Sequence, residues 1–165
     1  MDLAQRQSFL SGVAEGRTAL RDVGGLGAAD VDAIARVGAA SLQAGRFEQA
    51  EQVFVALSAL EPDVSVHALH IALARQGKGD VAGAIEALSQ MLRSQTADDG
   101  SFVDDEDVAR ALLLRAELCG RTNREQALQD LTSARALTSP LARKVVDALL
   151  GPAPTTPTTT NGRRS

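Results

Sequence analysis

Two stretches of this 165-residue chain recur at a fixed interval. In Leu42-Gln43-Ala44-Gly45-Arg46-Phe47-Glu48-Gln49-Ala50 and Gln76-Gly77-Lys78-Gly79-Asp80-Val81-Ala82-Gly83-Ala84, a glycine and a later alanine keep a spacing of 34 residues, Gly45 to Gly79 and Ala50 to Ala84. A period of this size outranks local propensity, because each unit is one supersecondary element that must bury its apolar face against the next. Each copy reads as a helix, a tight turn at the glycine and a second helix. Composition agrees. Ala occurs 29 times and Leu 21 times, against four Phe and no Tyr or Trp, a bias toward helix formers and away from strand formers.

Thirty-four residues is the tetratricopeptide period. In the first unit Ile34, Val37, Gly38 and Ser41 occupy the W-x2-L-G-x2-Y slots, followed by Ala50, Phe54 and Pro62. Gly38 and Ala50 let the two helices approach, Phe54 fills the space between them, and Pro62 ends the second helix. The second unit keeps Ala72 at the small slot, then Ala84 and Leu88. A third carries Ala127, Leu131 and Ala134 with Pro140 beyond, but Ala84 to Ala127 is 43 residues. The nine extra residues fit the acidic stretch between Thr96 and Asp107, read as a polar loop between units. The expected fold is all-α, a tetratricopeptide-like helical array of about three helix-turn-helix repeats at 31–64, 65–97 and 108–139. Ser139-Pro140 then starts a closing helix that carries Leu141, Val145, Leu149 and Leu150, so that the array fills 29–150.

Outside the repeats, residues 1–28 read as an N-terminal helix and a glycine-rich break. Leu3, Leu10, Val13, Leu20 and Val23 fall on one helical stripe that needs a partner surface, as a cap or against another copy, and Gly24-Gly25-Leu26-Gly27 interrupts it. Residues 151–165 turn to Thr and Pro without apolar periodicity and read as a disordered tail. The net charge of −4 supplies no positive field for a phosphate backbone, so nucleic acid is not expected as a partner. No signal-peptide core or 18-residue apolar run is visible, which predicts no membrane insertion. Cys119 is the sole cysteine, in keeping with a reducing, cytoplasmic setting.

Residues able to do chemistry do not assemble into a site. His67 and His70 lie at i, i+3 on a helix, yet no third metal ligand stands at a recognisable spacing. The acids from Asp98 to Asp107 lack the alternating spacing and terminal Glu of a calcium loop. Cys119 has no base linked to it by motif, and the glycine cluster is not a phosphate loop. The chain is therefore expected to be no enzyme and to use no metal or cofactor. What remains is a surface. The first helix of each stacked unit lines a concave groove, which assigns Ala35, Ala39 and Leu42 to one groove row and Val66, Leu69, Leu73 and Gln76 to the next.

Gln43-Ala44-Gly45-Arg46-Phe47-Glu48-Gln49-Ala50 and Val53-Phe54-Val55-Ala56-Leu57-Ser58-Ala59-Leu60 look like the Q-S-G-K-Y-x-x-A and V-F-Q-A-L-C-x-L runs of the class II type III secretion chaperones, the SycD/LcrH/IpgC family. Arg75-Gln76, Gly79, Ala84-Ile85 and Ala116-Glu117 extend the match, and the likeness spans residues 8 to 150. The resemblance implies a cytoplasmic chaperone that holds a hydrophobic, translocator-like client polypeptide in the groove before export; the N-terminal stripe, where it pairs with another copy, adds a homodimer as a further partner. Members of that family carry aromatic residues where Ala35, Ala39 and Leu42 stand here, which implies a groove of different shape. The alternative from another class is a non-catalytic scaffold or adaptor subunit of a bacterial assembly.

Overall fold

The computed structural model describes residues 27–61, 64, 66–94 and 104–151. The N-terminal stripe from Leu3 to Val23, the terminating role of Pro62, most of the acidic loop and the tail beyond Gly151 lie outside the described residues. Within them the chain is all-α: α1 Ala28–Gln43, α2 Phe47–Leu60, α3 Val66–Gly77, α4 Val81–Ser94, α5 Asp105–Cys119, α6 Arg124–Ala136 and α7 Pro140–Leu150. It is a tetratricopeptide-like array of helix pairs.

The first two pairs turn in the same way. Gly45 and Gly79 adopt φ of 70° and 83°, the left-handed conformation that costs glycine nothing and closes a helix C-terminus. At each, the next residue's amide returns to the last turn of the helix: Arg46 donates to the Ser41 carbonyl and Asp80 to that of Arg75, both at 2.9 Å. The third pair does without this device. Gly120 stays right-handed at φ −55°, and Asn123 caps α6 by accepting from the Gln126 amide at 3.1 Å. The last helix starts as its sequence dictates, with Ser139 at the N-cap accepting from Ala142 and Pro140 in the first turn.

Small residues set the spacing of the pairs. Ala50, Ala72, Ala84, Ala111 and Ala134 have no exposed surface, and Phe54, Leu57, Leu88 and Met91 fill the space between them. A methyl group on Gly38 would stand 2.8 Å from Cε2 of Phe54 and 2.9 Å from Cγ1 of Val53, so α1 can lie this close to α2 only without one. Each large core side chain withdrawn from water contributes about 1.5–3 kcal/mol. Charged clips join consecutive pairs. Glu51 of α2 accepts from Arg75 of α3 at 2.7 Å and also from Lys78, while Arg75 donates to the Gly83 carbonyl of α4. Farther along, Arg115 of α5 grips Asp130 of α6 with two hydrogen bonds of 2.8 and 2.7 Å and reaches Ser89 of α4.

The end of the acidic stretch is helical, which corrects its reading as loop through Asp107. Asp104 caps α5 by accepting from the Glu106 amide, and Asp105, Glu106 and Asp107 occupy its first turn. Carboxylates are favoured there because the unpaired amides make that terminus positive. Two of them also hold the entry to α7, since Ser139 donates to Glu106 at 2.6 Å and Thr138 to Asp105.

Helix contacts give the array its two sides. α1 touches α3, α3 touches α5 and α5 touches α7, while no comparable contact links α2, α4 and α6 with one another. The inner layer therefore consists of α1, α3, α5 and α7, and the splayed outer helices bend the array around it.

Candidate functional site

Among the described residues, cavities open on the inner layer at two places. The first, of about 340 Å³, lies between α1 and α3 and is walled by Asp32, Ala35, Arg36 and Ala39 on one side and Val66, His67 and His70 on the other, with Phe54 of α2 behind them. Ala35 and Ala39 leave room because their side chains stop at a methyl group. Phe54, 2% exposed, forms a rigid rear wall with His70, whose ring stacks on it at a centroid distance of 4.4 Å and an interplanar angle of 11°.

The histidines are held differently. His70 donates from Nδ1 to the Val66 carbonyl at 3.0 Å, and burial holds its pKa below the ordinary imidazole value, opposed by that hydrogen bond. His67 is 5% exposed. Its Nε2 lies 3.1 Å from Oε2 of Glu61, and its Nδ1 is buried without a hydrogen-bond partner among the described residues.

The second cavity, of about 490 Å³, lies farther along the same layer. It is bounded by Leu113, Leu114 and Ala116 of α5, Leu131 of α6, and Val145 and Leu149 of α7, with Arg110 and Glu117 at its edge. Leu149 is 65% exposed and stands at the rim of this cavity. Helices α3 and α5 touch, so the two cavities are neighbours along one surface.

Of the seven groove residues expected from sequence, the structure brings Ala35, Ala39 and Val66 together at the first cavity. Leu73 is exposed on the inner helix α3, and Gln76 is half-buried. Leu42 packs partly buried against the main core. Leu69 is turned inward, 6% exposed and part of that core, which corrects its assignment to the groove. Positions 66, 69, 73 and 76 and positions 66, 70 and 73 describe adjacent helical stripes, and helical spacing alone does not separate them. Because α3 is clasped by α2 and α4 and also touches α1 and α5, His70 rather than Leu69 occupies the open side. The pair at 67 and 70 was visible in the sequence as two histidines at i, i+3 on a helix; its place in a cavity was not.

Cys119 is buried, and burial and the nearby Asp130 raise its thiol pKa, leaving an inert side chain. Among the described residues no three His, Cys, Asp or Glu side chains are placed to hold a metal ion, and no helix is long and apolar enough to cross a membrane.

No protein-family model matches the sequence, and no curated protein matches it. Solved structures do share the fold. The Yersinia enterocolitica type III secretion translocator chaperone SycD superposes with a TM-score of 0.64 over 81% of this chain and 96% of its own, at 18% identity. A chain of the CopN-Scc3 complex does so with a TM-score of 0.64 over 80% of this chain and 74% of that one, at 16% identity. In architecture the protein thus resembles a class II type III secretion chaperone.

Proposed function

We propose that the protein is a cytoplasmic, non-catalytic chaperone that holds a hydrophobic type III secretion substrate on its inner helix layer before export. The observation that carries this reading is the pair of open, mostly apolar cavities on the layer formed by α1, α3, α5 and α7. An extended segment laid across these helices can seat one side chain at Ala35, Ala39 and Val66 and another at Leu113, Val145 and Leu149. Burying an aggregation-prone segment there keeps it from pairing with other chains, and export then requires its release. The likeness in fold to a translocator chaperone supports the same reading.

Site-specific photo-crosslinking tests it. A photoreactive residue at Ala39 or Leu73 of the inner layer should capture a co-expressed translocator-like substrate, whereas one at Val55, exposed on α2, should not. Capture at Val55 alone would overturn the reading. A permanent scaffold would behave differently in one respect: its partner would stay bound once secretion is induced.

A further inference from the structure

A titratable ring stands in the wall of the first cavity. His70 is half-buried and lines the cavity together with Ala35, Ala39 and Val66, with one face of its ring on Phe54. A carbonyl can only accept, so Nδ1 is a protonated nitrogen in the 3.0 Å bond to Val66, and Nε2 is the atom that takes the added proton when the ring becomes charged. Among the described residues Nε2 has no hydrogen-bond partner, yet it is not sealed from water, since the side-chain atom both buried and unpartnered there is Nδ1 of His67. With Phe54 on one face and Nδ1 tied to its own helix, the ring meets water from the side of the cavity.

A proton on Nε2 finds no counter-ion in place. From α1, Asp32 and Arg36 stand one turn apart in the cavity wall. From α5, Asp107 favours the charged ring and Arg110 opposes it, and Arg110 donates to Asp107 at 3.2 Å. His67, on the same helix, also opposes the charge, while its own Nε2 lies against Glu61. Phe54 of α2 brings only a hydrocarbon face. Asp32 and Asp107 are thus each accompanied by an arginine, and neither is bonded to His70. Water must solvate the imidazolium, and an apolar side chain seated in the cavity removes that water. We propose that client binding here is proton-linked: the first cavity holds an apolar client side chain while the His70 ring is neutral and lets it go when the ring takes up a proton. This rests on the client-binding reading above and adds its regulation. The second cavity supplies a contrast, because both of the chain's two histidines are at the first.

The probe is N-phenyl-1-naphthylamine, a dye that fluoresces in apolar surroundings and carries no charge across the pH range used; the chain has no Trp or Tyr to add background. Full-length protein is titrated with the dye at a series of pH values, with helicity recorded at each. Bound dye hinders protonation of His70. Affinity should therefore be level above pH 6.5, the ordinary imidazole value that burial already lowers here, and should fall below it, by at most about tenfold for each pH unit because one proton is taken up. In the ring NMR signals, saturating dye should move the titration of His70 to lower pH. Ala39→Phe, which fills the cavity, should remove the pH-dependent binding, and dye remaining at the second cavity should respond little to pH. His70→Phe should flatten the profile, whereas His67→Gln should keep its slope. No binding that is sensitive to Ala39→Phe, an affinity constant with pH, a slope that survives His70→Phe or is lost in His67→Gln, or dye release only where helicity is lost would overturn the proposal. If the profile is flat while Ala39→Phe still releases the co-expressed client, proton linkage fails and the client-binding reading stands. Client retained by well-folded Ala39→Phe removes both.

Discussion

Phe54 and His70 lie ring on ring, with centroids 4.4 Å apart and planes 11° from parallel, and this contact joins the second helix of one unit to the first helix of the next. Phe54 also meets Gly38, where a Cβ would stand 2.8 Å from Cε2 of the ring. One side chain therefore sets the distance between α1 and α2 and backs the cavity between α1 and α3.

Truncation of Phe54 should be among the most damaging single changes. Phe54→Ala is expected to cost about 3–5 kcal/mol in denaturant unfolding. Gly38→Ala should cost about 1–3 kcal/mol by overpacking the ring edge of Phe54. Unfolding midpoints close to wild type for both would mean that α1 and α2 are not held apart by this ring.

Acid should weaken the fold through His70. Burial lowers its pKa from the ordinary value of 6.5, so below that pH the unfolded chain binds the proton more readily than the folded one. The stability associated with the neutral ring is then complete above about 6.5 and declines as the pH falls toward the folded-state value. His70→Phe keeps a ring against Phe54 and removes the titration. Its melting temperature should fall less steeply in that window, and a slope parallel to wild type would refute the assignment.

Asp130 is 1% exposed and lies against Arg115, with Gln126 donating to the same carboxylate. Asp130→Asn should leave the guanidinium largely buried without its counter-charge, at a cost of about 3–5 kcal/mol. Replacing both partners with apolar residues, as in Asp130→Leu with Arg115→Met, should recover much of that loss. A double variant no better than the single one would show that the clip contributes more than the pairing of its charges.

Leu69 and Leu73 should respond oppositely to charge. Leu69→Asp places a carboxylate in the main core and should unfold the protein, as seen by loss of helical circular dichroism. Leu73→Asp, on the exposed face of the same helix, should leave the helicity intact and weaken client binding. Retention of client by folded Leu73→Asp would move the binding surface away from the inner face of α3.

Much of this architecture was legible in the residue order because the signals are local and repeated. The spacing of Gly45 and Gly79 announces two left-handed turns, Ala50 and Ala84 announce two close helix pairs, and Ser139-Pro140 announces the start of α7. Each depends on a backbone conformation or a steric limit that a few neighbouring residues dictate. The helical start at Asp105 was missed for a related reason: an acid run reads as a solvated loop until a helix amide is seen to need it as a cap.

The sequence by itself determined that the chain would form an array of helix pairs with small residues at their crossings. Tertiary structure alone decided which stripe of α3 faces outward. Leu69 and His70 are consecutive and differ by about 100° around the helix axis, and both stripes satisfy the same 3.6-residue period. The choice falls to the neighbours: α2 and α4 enclose Leu69 in the core, while Phe54 offers His70 a ring to stack on at the edge of the cavity. Such a contact spans helices from two units, and no spacing along the chain encodes it.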